Sequence, residues 1–297
     1  MTAAAFFKCP VSLAPNHIAP SARKRSGMDK FWLPSAAVLL AAAAPALHAE
    51  AGNPLNDKFS VSLGGFLLST KTTLRVDGTA ERTGTEINSG RDLGLEDSDR
   101  FRLDAYWRMT PRQKLRLMYF DTNNSATKTL ERTIEIGDQE YLVDAEVTAR
   151  TKTQVTELAY EFDFLQREKY ELGATGGIHN LSFNFGIEAT GNGQNVSESS
   201  TAKANGPLPV FGLRGVYRFT PKFYGEAAVQ YFAIAFDPYD GSVTDFTVTG
   251  AWQFSQHWAV GAGWNSFTTK VDVSGDKFHG TLRWRYGGAR IFVTASF

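Results

Sequence analysis

The chain has 297 residues, with 31 Lys and Arg against 31 Asp and Glu, so it carries no formal net charge at pH 7. This balance leaves no basic surplus of the kind that nucleic-acid-binding domains show, and we expect no nucleic-acid partner. The single cysteine, Cys9, lies near the start, so the rest of the chain can form no internal disulfide and offers no thiol nucleophile.

The first 51 residues are predicted to be a targeting segment rather than part of the fold. An apolar, Ala-rich run at 31–47 is followed by Ala49-Glu50-Ala51, an A-x-A cleavage pattern, and Leu47-His48-Ala49 offers a second cut. Residues 28–51 are therefore interpreted as a signal peptide. Residues 1–27 are interpreted as an upstream extension from a misplaced start codon, or as a long basic n-region. The leader holds five Lys and Arg and two Asp and Glu, which leaves 26 basic and 29 acidic residues and a charge of −3.

Four aromatic-rich strand ends run into short polar breaks in the remaining chain. The breaks are predicted at 111–113, 165–168, 220–221 and 255–256. Trp and Tyr rings favour the membrane interface, and one rim of a membrane β-barrel has tight turns. The pattern therefore predicts such a rim. The expected interface aromatics are Trp107, Phe164, Tyr170, Tyr217, Phe219, Trp252, Phe254 and Trp258.

A period of two runs through residues 52–297, which we interpret as one domain. From Phe101 to Met109, for example, every second side chain is apolar and most of those between are charged. Such alternation places the two kinds of side chain on opposite faces of a sheet. Apolar faces rich in Phe, Tyr and Trp, opposite ionic faces, favour a transmembrane barrel with its polar face inward over a soluble β-sandwich.

Ten strands are predicted, with eight or twelve as alternatives because the stretches at 74–99 and 120–150 are ambiguous. An even number brings both ends of the domain to one side of the membrane. The long connections, at 77–99, 135–140 and 191–208, then share the other side. The sequence thus predicts an all-β, antiparallel transmembrane β-barrel, monomeric and located in the outer membrane of a Gram-negative bacterium.

The last strand has an alternating apolar pattern that ends on an aromatic residue. Ile291, Val293 and Phe297 form a pattern similar to the assembly signal of bacterial outer-membrane barrels. We therefore expect the barrel assembly machinery as a partner, together with outer-membrane lipid and lipopolysaccharide. The side chains at 282–286 are out of phase with this pattern, so a bulge is expected at Gly287-Gly288.

One segment resembles a known group of proteins. The sequence GTEI at 84–87, followed by DLGLEDSD at 92–99 and the strand FRLDAYWR at 101–108, is similar to a group of proteobacterial outer-membrane barrels that are mostly uncharacterised. The resemblance implies the fold and the compartment, and it implies no activity.

Eleven charged side chains are predicted to face the lumen of this barrel. They are Arg102, Asp104, Arg108, Arg116, Glu157, Glu161, Arg214, Arg218, Glu226, Arg283 and Arg285. A barrel of this size is largely filled by side chains, and charges buried there need partners. The set therefore predicts a salt-bridged interior with a structural role. Its excess of arginine leaves a narrow, anion-favouring pore as a second possibility.

An outer-membrane enzyme, either a protease or a lipid-modifying hydrolase, is the alternative function. Such a site needs a histidine within hydrogen-bond reach of Ser, Asp or Glu. After the leader, His179 lies on the opposite strand face from Ser182, His257 lies in a predicted turn, and His279 lies near a strand start close to Asp276. We therefore expect no catalytic residue, no cofactor and no metal site.

Acidic residues gather in the first long connection, at Asp92, Glu96, Asp97 and Asp99. Their spacing matches no calcium-binding loop, so a solvated acidic loop is expected. The alternative is that these carboxylates bind divalent cations that bridge to lipopolysaccharide phosphates.

Overall fold

The computed structural model shows a chain dominated by β-strands. The predicted extension and signal peptide, 1–27 and 28–51, lie outside the described residues, as do Glu96, Asp97 and Asp276. No helix in the described part has the length and apolarity needed to cross a membrane. The structure describes residues 53–78, 83–95, 98–136, 138–190, 197–236, 239–275 and 278–297.

The described residues form thirteen strands and one short helix. In chain order they are β1 (Phe59–Val76), β2 (Ile87–Asn88), α1 (Ser89–Leu93), β3 (Ser98–Thr110), β4 (Gln113–Thr129), β5 (Ile134–Ile136), β6 (Gln139–Tyr141), β7 (Glu146–Gln166), β8 (Tyr170–Thr190), β9 (Ser197–Arg218), β10 (Phe223–Phe236), β11 (Tyr239–Gln253), β12 (Trp258–Gly275) and β13 (Phe278–Ser296).

Ten of these strands close into an antiparallel barrel. Hydrogen-bonded neighbours follow the order β1, β3, β4, β7, β8, β9, β10, β11, β12 and β13, and β13 pairs back onto β1 from Ser60↔Ser296 to Val76↔Gly280. Closure leaves no edge strand, so the barrel strands satisfy each other's backbone groups as a membrane interior requires. The predicted ten-stranded barrel is confirmed, and the alternatives of eight and twelve strands are wrong.

The four short breaks predicted from the sequence lie at one end of the barrel, which we call the turn end. Residues 53–58 and Phe297 also lie there, and Lys58 N and Phe59 N both donate to the Phe297 carbonyl oxygen, at 2.6 and 2.9 Å. We call the opposite end, which carries β2, α1 and the β5–β6 hairpin, the loop end. The segments that join consecutive strands at the turn end are 111–112, 167–169, 219–222 and 254–257.

The two ambiguous stretches contain short elements inserted between barrel strands. β2 and α1 lie between β1 and β3, and the β5–β6 hairpin lies between β4 and β7. Elements this short cannot set up a hydrophobic period, which explains the ambiguity. Helix α1 is fixed by its caps: Asn88 Oδ1 accepts from Arg91 N at 3.0 Å, and Gly94, with φ of 70°, ends the helix in the left-handed region.

Alternation along the barrel strands produces an apolar outer surface. Phe101 is 76% exposed and its neighbour Arg102 is 6% exposed, because successive side chains point to opposite faces. The same contrast recurs elsewhere, for example between exposed Val248 and buried Thr247. A surface of exposed apolar and aromatic residues around a closed antiparallel sheet is typical of a transmembrane barrel.

Strand β13 keeps one register along its whole length. Its pairing with β1 and β12 shows no shift at Gly287-Gly288, so the expected bulge was wrong. Parity therefore runs unbroken, which places Tyr286 inside the barrel and leaves Arg283 and Arg285 exposed on the outer face. The prediction that these two arginines face the lumen was wrong. Gly288 is needed for close packing instead, because a Cβ there would overlap the carbonyl oxygen of Leu67.

The lumen is apolar at the loop end, which differs from the expected polar interior. Segments 87–95, 130–136 and 138–141, which we call the loop-end plug, pack against the inward faces of β1, β7 and β8. Burying one Leu or Ile fully contributes roughly 1.5–3 kcal/mol, so the plug is a substantial core. The buried side chains are Ile87, Leu93, Leu95, Leu130, Ile134, Ile136 and Tyr141 against Leu74, Val76, Val147, Ala149, Phe183, Phe185, Ile187 and Ala189.

Asp92, expected to be solvated, is tied into the plug. Its carboxylate accepts from Asn88 N at 2.8 Å and pairs with Arg91 at 2.9 Å and Arg132 at 3.1 Å. Burial alone would raise the pKa of Asp92, but hydrogen bonds from Arg91, the Asn88 amide and Arg132 lower it to about 2. Because two guanidinium groups already neutralise this carboxylate, it is poorly suited to binding a bridging cation. Asp99 is exposed at the start of β3.

Candidate functional site

Eight charged side chains form one connected network in the turn-end half of the lumen. Because the barrel is narrow, inward positions from β3, β4, β7, β8, β9 and β10 converge there. Each of the eight is buried or half-buried. This ionic layer consists of Arg108, Lys114, Arg116, Glu161, Asp163, Glu171, Arg214 and Glu226.

Lys114 occupies the centre of the ionic layer. Its ammonium nitrogen lies 2.9 Å from Glu161 Oε1 and 3.1 Å from Asp163 Oδ2, and it also contacts Glu171. The second oxygen of Glu161 bonds to Arg116. Removing an ion from water costs several kcal/mol in a protein interior, and these close pairings offset that cost.

Arginines extend the ionic layer in two directions. Arg108 Nη1 lies 3.2 Å from Glu171 Oε2 and 3.4 Å from Asp163 Oδ2. On the other side Arg214 pairs with Glu226. Arg218, predicted to belong to this set, instead lies at the rim, where it donates to the backbone oxygen of Glu168.

A smaller ion group lies above the ionic layer, toward the middle of the barrel. Asp104 accepts from Arg102 at 2.9 Å and pairs with Arg290 at 3.0 Å. Arg102 also lies over the ring of Phe66, 5.7 Å from its centroid. This ion group therefore connects the polar half of the lumen to the aromatic side chains above it.

A second buried polar group, which we call the histidine cluster, consists of Glu157, His179, Gln230 and Asp245. His179 Nε2 lies 3.4 Å from Glu157 Oε2, 4.0 Å from Asp245 Oδ2 and 3.1 Å from Gln230 Oε1. Gln230 Nε2 donates to Glu157 Oε1 at 2.7 Å, and Asn265 Nδ2 donates to Asp245 Oδ1 at 2.7 Å. The ligand atoms of the ionisable trio lie within 4.8 Å of one another, so this set could hold a metal ion.

Five rings form an aromatic layer across the lumen, directly above the histidine cluster. Phe120 and Tyr286 are 4.9 Å apart between centroids, although β4 and β13 are separated by two strands. The ring of His179 lies 5.4 Å from that of Phe267, again between strands that are not neighbours. The contacts therefore cross the lumen. The five are Phe66, Phe120, Phe267, Trp284 and Tyr286, each at most 1% exposed.

A cavity of about 100 Å³ lies among the polar groups below the aromatic layer. Its walls extend from Pro54 and Ser296 at the turn end to Glu157 and Asp245 of the histidine cluster. A volume of this size holds several water molecules, since each needs roughly 10–15 Å³. The polar half of the lumen thus has room for water and is bounded on one side by the aromatic layer.

Asp57 lies at the turn end, outside the barrel strands. Burial raises the pKa of Asp57 to about 6, although a hydrogen bond with Ser296 and the charges of Arg108 and His257 act in the opposite direction. This carboxylate is therefore a group at the turn end that titrates in a mildly acidic range.

The structure brings most of the predicted lumen charges together. Arg218 lies at the rim, and Arg283 and Arg285 lie outside. Sequence reasoning missed several lumen residues, although the inward parity of Lys114 and Asp163 was readable from the alternation that reveals Arg116 and Glu161. The predicted residues that line the interior are Arg102, Asp104, Arg108, Arg116, Glu157, Glu161, Arg214 and Glu226. The missed ones are Lys114, Asp163, Glu171, His179, Asp245 and Arg290.

The predicted interface aromatics lie on the outer face toward the turn end. Tyr170 is half-buried because it stacks on Tyr217, with centroids 6.3 Å apart, and the others are exposed. Trp107 stacks on Phe59 at 6.2 Å. The exposed members are Trp107, Phe164, Tyr217, Phe219, Trp252, Phe254 and Trp258. Their place at a membrane interface remains a prediction.

The residues of the predicted assembly signal also face outward. Ile291, Val293 and Phe297 are all exposed. The ring of Phe297 stacks on His257, with centroids 5.0 Å apart, and its backbone N donates to Phe59 O at 2.8 Å. Phe297 therefore helps to join the first and last strands, and its recognition by the assembly machinery remains a prediction.

His179 lies beside the carboxylates of Glu157 and Asp245, but neither described histidine ring contacts a hydroxyl nucleophile. His179 hydrogen-bonds to Gln230, and His257 Nδ1 lies 2.9 Å from the backbone oxygen of Ser296. Within the described part of the chain, no Ser or Thr hydroxyl bonds to either ring. The side chain of His279 lies outside the described residues.

The barrel fold is shared with an outer-membrane protein of known structure. The outer membrane protease OmpT from Escherichia coli superposes with a TM-score of 0.54 and 12% identity, over 82% of this chain and 98% of OmpT. The translocator domain of the autotransporter NalP from Neisseria meningitidis gives a TM-score of 0.42 and 12% identity, over 80% and 86% of the two chains. No family model and no curated protein matches the chain. The likeness to OmpT shows that the chain has a fold found among outer-membrane β-barrels.

Proposed function

We propose that the chain is an integral outer-membrane barrel with a closed lumen and a structural role, which anchors its loop-end segments at the cell surface. The aromatic layer is the observation that carries this proposal. Phe120 and Tyr286 meet across the lumen, and the loop-end plug fills the lumen beyond them. Two successive apolar layers therefore stand across the route between the ends of the described barrel.

A narrow anion-favouring pore has less support. The arginine excess expected from sequence disappears once the missed residues are counted. Among the described residues buried in the lumen, six Lys and Arg accompany seven Asp and Glu. The set is Arg102, Arg108, Lys114, Arg116, Arg214 and Arg290 with Asp104, Glu157, Glu161, Asp163, Glu171, Glu226 and Asp245.

The enzyme alternative also has less support. The histidine cluster lies under the aromatic layer, and the adjoining cavity of about 100 Å³ is too small to admit a peptide or a lipid. No observation on the described residues favours a protease or a hydrolase over a structural role.

Conductance in planar bilayers tests the closed lumen. We expect the wild-type protein to show no stepwise conductance at either polarity. Because the loop-end plug remains, the double variant Phe120→Ala/Tyr286→Ala, which removes only two rings from the aromatic layer, should also show no conductance, as should the lipid-facing control Phe101→Ala. Heat-modifiable gel mobility would show that each variant is folded. Stable conductance of the wild type would overturn the closed-lumen proposal.

The outer surface supports placement in a membrane, with the turn end toward the periplasm. Outward positions from Phe59 to Leu67 on β1 are apolar or glycine, and Ser69 and Lys71 follow. Nine strand residues at about 3.3 Å each, tilted by about 40°, span roughly 20 Å, close to the apolar band of such barrels. The polar positions therefore begin at the expected membrane boundary.

A basic patch just beyond this boundary supports lipopolysaccharide as the lipid partner. In the sheet register Lys71 lies opposite Arg285, and Lys270 lies opposite Arg283. Like charges opposite each other destabilise a sheet, so an anionic partner is expected. Lys270 pairs with Asp272 at 2.5 Å, but the other three form no ion pair with any described residue. Lipid A phosphates would lie at this height.

Charge reversal tests the lipid partner. The variant Arg283→Glu/Arg285→Glu should retain much less lipopolysaccharide after detergent extraction than the wild type. Arg150→Glu is the matched control, because Arg150 is also exposed toward the loop end but already pairs with Glu188 at 2.9 Å. Equal lipopolysaccharide retention by the double variant and the wild type would contradict this part of the proposal.

A further inference from the structure

The carboxylates of the histidine cluster lack the partners that those of the ionic layer have. Every carboxylate of the ionic layer contacts at least one Lys or Arg. By contrast, Glu157 and Asp245 form no ion pair with any described Lys or Arg, although the charge of Arg102 acts on Asp245, and His179 lies beside both carboxylates. Both residues are nevertheless more than nine-tenths buried. Two buried carboxylates without a full counter-charge are energetically costly, and a bound cation would offset that cost.

The geometry of the cluster fits a metal ion as that cation. Glu157 Oε2 and Asp245 Oδ2 lie 3.4 and 4.0 Å from His179 Nε2. Ligands that bind one tetrahedral ion at about 2.0–2.2 Å stand about 3.4 Å apart, so only a small inward movement of Asp245 would complete the set. Gln230 Oε1, 3.1 Å from the same nitrogen, is a neutral oxygen available for a fourth position.

The surroundings hold these ligand atoms toward one another. Gln230 Nε2 holds Glu157 Oε1, and Asn265 Nδ2 holds Asp245 Oδ1, each at 2.7 Å, which leaves the second oxygen of each carboxylate directed at His179. Such outer contacts orient ligands in known metal sites. Asn265 is itself fixed by Arg102, which donates to its Oδ1 at 3.2 Å.

An unpaired hydroxyl beside the cluster points independently to a missing ligand. Tyr286 is fully buried in the aromatic layer, and its hydroxyl has no hydrogen-bond partner among the described residues. The same hydroxyl interacts electrostatically with Asp245 and Glu157. A buried hydroxyl normally has a partner, and a water molecule bound to an ion in the cluster would supply one.

The cavity provides a route to the cluster from the turn end. It is lined by Glu157, Gln230 and Asp245 as well as by Pro54 and Ser296. The other buried group of three acids, Glu161, Asp163 and Glu171, differs because Lys114 already occupies its centre. Of these two groups, only the histidine cluster both lacks an ion pair with Lys or Arg and borders the cavity.

We propose that Glu157, His179 and Asp245 bind one divalent first-row transition ion, with Gln230 Oε1 or a cavity water as a further ligand. An imidazole with two carboxylates suits ions such as Zn²⁺ better than Ca²⁺ or Mg²⁺, which prefer all-oxygen sites.

Metal titration tests the site. The detergent-purified full-length protein is first treated with a chelator and is then titrated with metal ions. Co²⁺ should bind one per chain and produce visible d–d absorption, and Cu²⁺ should show coupling to a single imidazole nitrogen in its electron paramagnetic resonance spectrum. Glu157→Gln, His179→Gln and Asp245→Asn should each weaken Co²⁺ binding at least about tenfold. Glu171→Gln, in the acid group occupied by Lys114, is the matched control and should leave Co²⁺ affinity unchanged. Heat-modifiable mobility would identify any variant that fails to fold.

Two results would overturn the proposal. One is a folded wild-type protein that binds no stoichiometric Co²⁺ or Cu²⁺. The other is Co²⁺ binding that none of the three cluster variants weakens, which would place the ion elsewhere. Neither result bears on bilayer conductance, so the closed-lumen proposal stands or falls separately.

Discussion

Replacing Glu161 with Gln tests how far the ionic layer stabilises the barrel. The side chain is 1% exposed and its oxygens contact Lys114, Arg116 and Arg214. Glutamine keeps the shape but removes the charge and turns one acceptor into a donor that faces guanidinium groups. The substitution therefore isolates electrostatics from packing.

The size of the effect follows from the partners that remain. Lys114 keeps its contacts with two other carboxylates, whereas Arg116 and Arg214 are left to share Glu226. Loss of one partner of a buried ion pair costs about 3–5 kcal/mol, and we expect about 3 kcal/mol because each cation retains a neighbour. Bilayer conductance should stay absent, since the aromatic layer is untouched.

Urea unfolding in lipid vesicles, followed by tryptophan fluorescence, measures this free energy. Glu188→Gln is the control, because its pair with Arg150 is more than half exposed on both sides and should be worth less than about 1 kcal/mol. If Glu161→Gln unfolds at the same urea concentration as Glu188→Gln, the ionic layer does not stabilise the barrel and the reasoning fails.

Three further predictions concern the ends of the chain. N-terminal sequencing of membrane-extracted protein should begin near Glu50 or Gly52, and a product that starts at Met1 would contradict the leader. Deletion of Phe297 should lower outer-membrane levels without blocking export, as shown by fractionation; normal levels would argue against an assembly role. Burial raises the pKa of Asp57 to about 6, so between about pH 4 and 6 the folded state holds a proton that the unfolded state has released. The free energy of unfolding should therefore fall as the pH rises from about 4 to 6. Asp57→Asn should remove that slope in urea titrations, and an unchanged slope would refute the assignment.

The sequence predicts the barrel well because strand alternation and tight turns are local properties. The break expected at 220–221 corresponds to the turn 219–222, and the others agree as closely. The loop-end plug could not be predicted, since its strands of two or three residues have no measurable period. Arg283 and Arg285 were placed on the wrong face because a bulge was expected at Gly287-Gly288. A glycine pair looks the same in sequence whether it forms a bulge or allows close packing.

The candidate site was predicted only in part because parity gives the face of a residue and not its partners. Arg108 on β3 meets Glu171 on β8, and His179 on β8 lies near Asp245 on β11, although none of these strands are neighbours. Contacts across a closed barrel depend on strand tilt and register, which a single sequence does not reveal. The inward face of Lys114 was readable from parity, but its contacts with Glu161, Asp163 and Glu171 were not.

Thiol accessibility tests the closed lumen most directly. In a Cys9→Ser background the chain has no other cysteine, so Ser62→Cys places a single thiol in the cavity below the aromatic layer. Glu131→Cys, at a side chain 81% exposed at the loop end, is the positive control. A membrane-impermeant maleimide added to intact cells should label Glu131→Cys and leave Ser62→Cys unlabelled. Labelling of Ser62→Cys at the rate of the control would reveal a continuous aqueous path and contradict the closed barrel.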